Sequence, residues 1–145
     1  MPVSAATRAS AGAAQEAADL PVIEFVAPMP GFPDNRRFVL VRLDESGLLF
    51  ALTSIETPGL RFLVLPPMPY FPDYAPEVDD DTLAALGVSG AESLLVLLLV
   101  TTGDTVDDVT VNLMAPIVLD QVSRRAVQLV LSRSGLPVRA PLKAP

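Results

Sequence analysis

The sequence predicts a mainly β fold: a small antiparallel β-barrel or closed sandwich that carries one short helix. Short stretches rich in Val, Leu, Ile and Phe succeed one another through turns that contain Gly, Pro, Asp or Asn, with no helices interleaved between most of them. The chain has 145 residues and half of them are apolar, which is enough for one domain with a hydrophobic core. Antiparallel strands joined by short turns favour a closed sheet, because closure leaves no strand edge unpaired.

We expect residues 21–135 to form the β-barrel domain. Residues 1–20 are rich in Ala and Ser and lack the apolar core of a secretory signal, so a flexible N-terminal tail is expected there. Residues 136–145 have no hydrophobic period and are predicted to be an irregular basic tail. The longest apolar run, 94–100, has seven residues, against the roughly 20 that a membrane-spanning helix needs. The sequence therefore predicts a cytoplasmic protein without a membrane segment.

The first half of the domain is predicted to consist of four strands. Residues 37–43 alternate so that Val39, Val41 and Leu43 share one face, as in a strand. The turn that follows, and the apolar residues after it, predict a returning strand and therefore a hairpin. The strands are 22–27, 37–43, 48–54 and 60–65, separated by turns at 28–35, 44–47 and 56–59 and ended by Pro66 and Pro67.

The second half contains the predicted helix and four further strands. Residues 79–87 begin with three aspartates, which the helix dipole favours at this end, and finish at Gly87, which suits a C-terminal cap. Residues 93–102 are apolar on both faces, so we predict a buried central strand. The remaining predicted strands are 109–115, 116–122 and 125–132.

Two missing residue types limit the chemistry that this chain can perform. It contains no Cys and no His, which excludes disulfides and thiolate metal sites and removes the commonest general base. The glycines are scattered singly, so there is no phosphate-binding loop, and no serine lies in a G-x-S-x-G motif. The aspartates at 79–81 lack the spacing of a calcium-binding EF-hand loop. We predict a protein that is not an enzyme and that binds no metal and no cofactor.

Charge is divided unevenly along this chain, whose net charge is −7. Residues 62–123 contain no Lys or Arg but ten acidic residues, whereas residues 124–145 contain five basic residues and no acid. The acidic stretch would repel nucleic acid and attract a basic protein, although acids that merely keep the protein soluble are the plainer explanation. The candidates for steering a basic partner are Asp79, Asp80, Asp81, Asp104, Asp107 and Asp108.

Residues 66–81 combine five prolines with both tyrosines of the chain. Prolines stiffen a loop without hydrogen bonds, and aromatic side chains on a stiff loop lose little entropy on binding. The alternative is that Phe71 and one tyrosine plug the end of the barrel. If the rings serve binding, replacing Tyr70 and Tyr74 with Ala should weaken it and leave the melting temperature nearly unchanged. The candidate partner contacts are Phe32, Tyr70, Phe71, Asp73 and Tyr74.

Three motifs follow one another along the chain: PGF at 30–32, PYFPDY at 69–74 and NLMAPIVLD at 112–120. In this order and spacing, residues 22–135 resemble the FliW family of flagellar assembly factors. The last motif is the most specific of the three. Gly31, Asn112, Ala115 and Pro116 are interpreted as structural parts of these motifs, and Asn112 is expected to satisfy backbone groups at a strand bend.

The resemblance implies a small antiparallel β-barrel that works by binding proteins. Members of this family bind CsrA, a small basic RNA-binding translational repressor, and also bind flagellin, which relieves the repression of flagellin mRNA translation. The resemblance implies no direct contact with nucleic acid, and we expect the chain on its own to be a monomer. Which surface meets which partner, and whether the two sites overlap, stay open.

Two other functions are compatible with the residues alone. A barrel of this kind could hold a small apolar ligand, which would require an unfilled interior. A hydrolase that relies on carboxylates would need two acids converging in one cleft, about 5–10 Å apart.

Overall fold

The computed structural model describes residues 21–88, 92–102, 108–131 and 134–142. Within these ranges the chain forms nine strands and one helix, and no helix has the length and apolar character needed to cross a bilayer. The elements are β1 (Val22–Phe25), β2 (Arg37–Arg42), β3 (Phe50–Ser54), β4 (Arg61–Leu65), α1 (Asp80–Leu86), β5 (Leu94–Thr101), β6 (Thr110–Val111), β7 (Ile117–Asp120), β8 (Arg125–Gln128) and β9 (Ala140–Pro141).

Seven of the strands close into a barrel. They follow the order β4-β3-β2-β1-β8-β7-β5, and β5 pairs back onto β4, where Val64 lies opposite Leu99 and Leu65 opposite Leu98. Closure leaves these strands without an open edge, which is how short strands avoid pairing with other chains. The predicted mainly β barrel with one short helix is therefore confirmed. One pair departs from the antiparallel pattern, since β1 and β8 run parallel.

The barrel interior is filled by side chains that alternate along the strands. Phe25 and Phe38, both fully buried, meet edge to face with 5.3 Å between ring centroids. This packing argues against the ligand-binding alternative, because the clefts that interior residues line are only about 220 Å³, beside Ile23 and Leu119, and about 270 Å³, beside Met29. Both are smaller than the roughly 300 Å³ at which small-molecule sites begin. The residues of this interior core are Ile23, Phe25, Met29, Phe38, Leu52, Val64, Leu97, Ile117, Leu119 and Ala126.

A second hydrophobic cluster lies on the outer side of β5. Because successive residues of a strand point to opposite faces, Leu98 faces away from the interior that Leu97 helps to fill. Strands β6 and β9 extend the sheet from β5 and cover this outer side. The buried members of this outer cluster are Leu65, Leu98, Val111, Leu113 and Ala140, with Tyr70, Phe71, Tyr74, Val100, Leu136 and Leu142 packed against them.

The C-terminal segment is more ordered than the sequence predicts. We expected residues 136–145 to be irregular, but Ala140–Pro141 form strand β9, in which Ala140 pairs with Val111 and is buried. A two-residue strand with no alternating neighbours leaves no periodic signal in a sequence. The prediction of an irregular tail is wrong at these residues, because contacts with β6 decide their conformation.

Strand β6 is much shorter than the predicted strand 109–115. It ends at Val111 because Asn112 turns the backbone: Asn112 Oδ1 accepts hydrogen bonds from the amides of Met114 and Ala115, both at 3.0 Å. This is the arrangement expected of an Asn at a strand bend. The fully buried Pro116 then leads into β7. The predicted strand 125–132 is likewise shorter and ends at Gln128.

Helix α1 begins and ends as its sequence predicts. Asp79 caps the N-terminus, where its Oδ1 accepts the amide hydrogen of Thr82 at 2.8 Å. Gly87 ends the helix with φ of 77°, a left-handed conformation that glycine adopts without strain. The one fully buried helix residue is Leu86, and the helix packs on β8.

Candidate functional site

A groove of about 490 Å³ lies over the outer cluster, and most of its wall comes from the proline-rich segment. Two further residues complete it from distant parts of the chain, Leu113 after β6 and Leu136 before β9. We call this feature the aromatic groove. Its lining residues are Tyr70, Phe71, Pro72, Asp73, Tyr74, Ala75, Pro76, Leu113 and Leu136.

The backbone of the proline-rich segment is held by short-range hydrogen bonds. The amides of Tyr70 and Phe71 both donate to the carbonyl of Pro67, at 3.0 and 2.7 Å, and the amide of Tyr74 donates to the carbonyl of Phe71 at 3.0 Å. Prolines have no amide hydrogen, so the segment needs few other partners to satisfy its backbone. These turns place Tyr70, Phe71 and Tyr74 along one wall of the groove.

Tyr74 ties the segment to the strand region opposite. Its hydroxyl donates to the carbonyl of Leu113 at 2.6 Å, and burial raises the pKa of Tyr74 to about 12. Replacing this side chain would remove a hydrogen bond between residues far apart in sequence. The prediction that replacing Tyr70 and Tyr74 with Ala leaves the melting temperature nearly unchanged is therefore revised, because Tyr74 supports the fold as well as lining the groove.

Tyr70 and Phe71 are half-buried and pack against the outer cluster. This position differs from the alternative in which Phe71 plugs the end of the barrel, since the outer cluster lies on the other side of β5 from the interior. Each ring is held by apolar contacts and also lines the groove. Aromatic rings that are already held in place lose little entropy when a partner covers them.

Among the described residues that line the aromatic groove, Asp73 is the one that carries a charge. Its side chain is exposed. The other lining residues are apolar or aromatic, so the groove offers hydrophobic surface next to one carboxylate. A side chain that combines an apolar stem with a positive end, or an apolar residue next to a basic one, matches this pattern.

None of the steering candidates that the structure describes lines the aromatic groove. Asp79 serves as the helix cap, and the hydrogen bonds from Thr82 lower the pKa of its carboxyl. Asp80 and Asp81 are exposed in the first turn of α1, where the helix dipole favours them. Asp108 is exposed before β6, and the predictions for Asp104 and Asp107 fall outside the described residues.

Phe32 and Gly31 belong to a different region. Residues 29–32 form a turn closed by a 2.9 Å hydrogen bond from the Phe32 amide to the Met29 carbonyl, with Gly31 at φ of 91°. The Phe32 ring meets Phe62 edge to face at 4.9 Å and lines a separate cleft of about 270 Å³. The structure therefore does not bring Phe32 together with Tyr70, although both were predicted as partner contacts.

Ala115 and Pro116 act within the barrel wall. Both are buried, and the Ala115 carbonyl accepts a hydrogen bond from Gln128 Nε2 at 3.1 Å. The Pro116 carbonyl accepts the Leu129 amide at 2.8 Å. Their contacts join the start of β7 to the end of β8.

Two lining residues outside the proline-rich segment, Leu113 and Leu136, were not expected at this site. Leu113 follows Asn112 directly, and the two residues line different clefts. Because neighbouring residues of an extended chain point to opposite faces, alternation could have indicated that one of the two faces outward. Leu136 gives no such signal, because it lies in a segment without a hydrophobic period. Only the packing of that segment on the outer cluster brings Leu136 to the groove.

The arrangement offers little to a hydrolase. In the described part of the chain, no group of three or more Asp, Glu, His or Cys side chains is placed to hold a metal ion. The described lining of the aromatic groove includes one carboxylate, whereas the carboxylate mechanism needs two in one cleft. The geometry therefore suits binding through apolar contact better than acid–base chemistry.

Fold and groove together define the class: a small closed β-barrel with a packed interior and a candidate binding groove on its outer wall. A family model described as "FliW protein" matches residues 7–142. The chain therefore belongs to the FliW family of flagellar assembly factors.

Individual relatives agree with this assignment. Proteins named flagellar assembly factor FliW are 35% identical over 114 residues in Geobacillus kaustophilus and 33% identical over 122 residues in Symbiobacterium thermophilum. These alignments cover 79% and 83% of this chain and 78% and 88% of the respective relatives. A crystal structure of the flagellar assembly factor FliW superposes with a TM-score of 0.76 at 32% identity, covering 83% of this chain and 84% of that one.

Proposed function

We propose that this chain acts in flagellar assembly by binding CsrA, so that the repressor no longer silences flagellin mRNA, and that flagellin competes by binding the same chain. The aromatic groove is the observation that carries this proposal. It gathers four of the predicted partner contacts, Tyr70, Phe71, Asp73 and Tyr74, around one apolar surface. The chain itself catalyses nothing in this scheme and needs no cofactor.

The groove has the size and composition of an anchoring site. A volume of about 490 Å³ accepts one or two large side chains of a partner, and its lining is mostly apolar. Interfaces derive most of their affinity from a few such buried aromatic contacts. We infer that an apolar residue of the partner enters the groove and that a neighbouring Lys or Arg meets Asp73.

Charge supports a basic partner for this surface. Residues 62–123 provide most of the groove and contain no Lys or Arg, so a negatively charged polymer would gain no ion pair there. A basic protein such as CsrA would be attracted, and the attraction would weaken as salt screens it. The same charge pattern explains how the chain could act on an RNA-binding protein without binding RNA.

Titration of purified CsrA into this chain tests the proposal. Tyr70→Ala removes a groove residue whose hydroxyl is not needed by the fold, and we expect about a tenfold or greater loss of affinity. Asp73→Asn should slow association and reduce its dependence on salt. Glu77→Gln is the matched control, because Glu77 is an exposed acid near the groove that does not line it.

Two outcomes would contradict the proposal. Unchanged CsrA affinity in Tyr70→Ala, with an unchanged melting temperature, would show that the groove is not the contact. Equal effects of Asp73→Asn and Glu77→Gln would show that only the overall charge matters. Adding flagellin to the preformed complex then shows whether both partners need the groove, since flagellin should displace CsrA only if their sites overlap.

A further inference from the structure

An arginine-lined cleft lies away from the aromatic groove. It has a volume of about 490 Å³ and is lined by Val22, Glu24, Arg37, Ser123, Arg124 and Arg125. Three arginines against one glutamate give it a positive charge, on a chain whose net charge is −7. It shares no lining residue with the aromatic groove. This reversal of sign at one place requires its own explanation.

The floor of the cleft is formed by paired residues of β2, β1 and β8. Glu24 of β1 lies opposite Arg37 of β2 on one side and opposite Arg125 of β8 on the other. All three residues are exposed, because the neighbouring Ile23 and Phe25 point into the barrel. Adjacent strands are about 4.8 Å apart, and Glu24 lies between the two arginines. The backbones of Arg37 and Arg125 are therefore roughly 10 Å apart. That separation suits two anionic groups rather than one.

The third arginine is placed by the turn between β7 and β8. Arg124 has φ of 62°, the one positive φ among the described residues other than glycine. Its carbonyl accepts the Glu24 amide at 2.9 Å, and its own amide donates to the Asp120 carbonyl at 2.8 Å. A left-handed conformation is strained for a residue with a Cβ, so glycine would fit this position at lower cost.

The guanidinium groups in the cleft are available to a ligand. Across the described ranges, Arg37, Arg124 and Arg125 donate no side-chain hydrogen bond to another residue, although the charge of Arg37 acts on nearby Glu56. Arg36 shows the contrast: its Nε and Nη2 donate to the carbonyls of Phe25 and Val26, both at 3.0 Å. Arg36 is therefore used by the fold, whereas the cleft arginines make no such hydrogen bonds, although Arg125 Nη1 lies beside Gly87 at the end of α1.

We propose that this arginine cleft binds an acidic segment of a partner protein, one that carries two neighbouring carboxylates. Arginine forks bind carboxylates in a bidentate manner, and Val22 offers an apolar surface beside them. A nucleic acid would need a longer basic track, and the acid-rich remainder of the chain would repel it. The carboxylate of Glu24 repels an acidic ligand. It therefore weakens the binding of any peptide that does not place a basic residue next to Glu24.

Fluorescence anisotropy with a labelled peptide of alternating glutamate and serine tests this proposal. The peptide should bind saturably, and its counterpart with Gln in place of Glu should not. The double variant Arg37→Gln/Arg125→Gln should weaken binding by about tenfold or more, and Glu24→Gln should strengthen it several-fold. Arg42→Gln is the matched control, since Arg42 is an exposed arginine of the same strand outside the cleft.

Arg124→Gly separates binding from folding. Glycine suits φ of 62°, so this variant should be at least as stable as the original chain while it binds the peptide more weakly. Tyr70→Ala should leave peptide binding unchanged. Peptide affinity that is the same in the double variant, in Arg124→Gly and in Arg42→Gln would overturn the proposal. Tighter binding of a single-stranded RNA, or of inorganic phosphate, at the same arginines would overturn the choice of ligand.

Discussion

The interior core and the outer cluster are both hydrophobic, yet they differ in how the chain assembles them. The interior core collects alternate residues of consecutive strands, so each contributor is placed by its neighbours in sequence. The outer cluster gathers residues from β4, β5, β6, the proline-rich segment and the C-terminal segment. All ten residues of the interior core are buried, with at most 5% of their surface exposed, whereas the aromatic rings of the outer cluster are only half-buried.

The difference between the two clusters indicates where a small barrel can carry a binding surface. A filled interior offers little space for a partner, and removing its large side chains costs several kcal/mol of stability. The outer cluster is buried enough to hold Tyr70 and Phe71 in position but leaves part of each ring accessible. Binding residues can therefore lie on this cluster because the barrel beneath it already supplies the stability.

The largest effect should come from exchanging one phenylalanine in each cluster for alanine. Phe38→Ala should reduce the free energy of unfolding by about 3–5 kcal/mol, because the ring is fully buried in the interior core. Phe71→Ala should cost roughly half as much or less, since its ring is only partly buried, and should also weaken partner binding. Urea denaturation of both variants checks this, and equal losses would show that the two clusters do not differ as described.

A second effect of intermediate size concerns the buried carboxylate of Asp120 at the end of β7. It accepts hydrogen bonds from the Ser93 hydroxyl and the Ser123 amide, the latter at 2.8 Å, and hydrogen bonds from these two serines lower its pKa to about 2. Asp120→Asn should reduce the melting temperature by about 5 °C or more. Ser93→Ala, which removes one donor, should reduce it less.

Acid titration sharpens the test of Asp120. Because the folded pKa lies below the ordinary value of 3.8, the stabilisation is complete above that pH and is lost as pH falls through about 2. The original chain should therefore lose stability between pH 4 and pH 2 more steeply than Asp120→Asn does. Parallel acid dependence in the two proteins would show that Asp120 does not account for this loss.

The smallest effect should come from Tyr74→Phe, which removes only the hydrogen bond to Leu113. We expect a loss of about 1 kcal/mol in the free energy of unfolding, with little change in the shape of the groove. Since burial raises the pKa of Tyr74 to about 12, the folded chain loses stability as pH rises from about 10 towards 12.

The absorbance of tyrosinate follows this ionisation directly. One of the two tyrosines should ionise late in the original chain, and Tyr74→Phe should abolish the late step. Tyr70→Phe, the matched control, should retain it. A late step that persists in Tyr74→Phe would mean that the buried hydroxyl belongs to Tyr70 and that the contact with Leu113 is not formed in solution.

Much of the fold follows from signals that lie close together in the sequence. Helix α1 could be predicted with its caps at Asp79 and Gly87, because capping depends on residues within one or two turns. The hairpin of β2 and β3 could be predicted from alternation on both sides of a turn. The role of Asn112 could be predicted because its side chain bonds to backbone amides two and three residues ahead.

Only part of the candidate site could be predicted from signals in the sequence. The unusual composition of the proline-rich segment predicted Tyr70, Phe71, Asp73 and Tyr74 as partner contacts. In the structure these four residues line one groove. Phe32, also predicted as a partner contact, lines another cleft. Composition identifies residues that are unusual in their position, but it does not say which of them share a surface.

The sequence by itself determined the turns, the helix caps, the alternating strands and the uneven distribution of charge, because each depends on neighbours along the chain. Only the tertiary structure decided the parallel pairing of β1 with β8, and with it the row of Arg37, Glu24 and Arg125. It also decided that Leu113 and Leu136 complete the aromatic groove. These features bring together residues that are far apart in the sequence, and they require one strand register out of several possible ones. The packing of the whole barrel selects that register, and no local sequence pattern does.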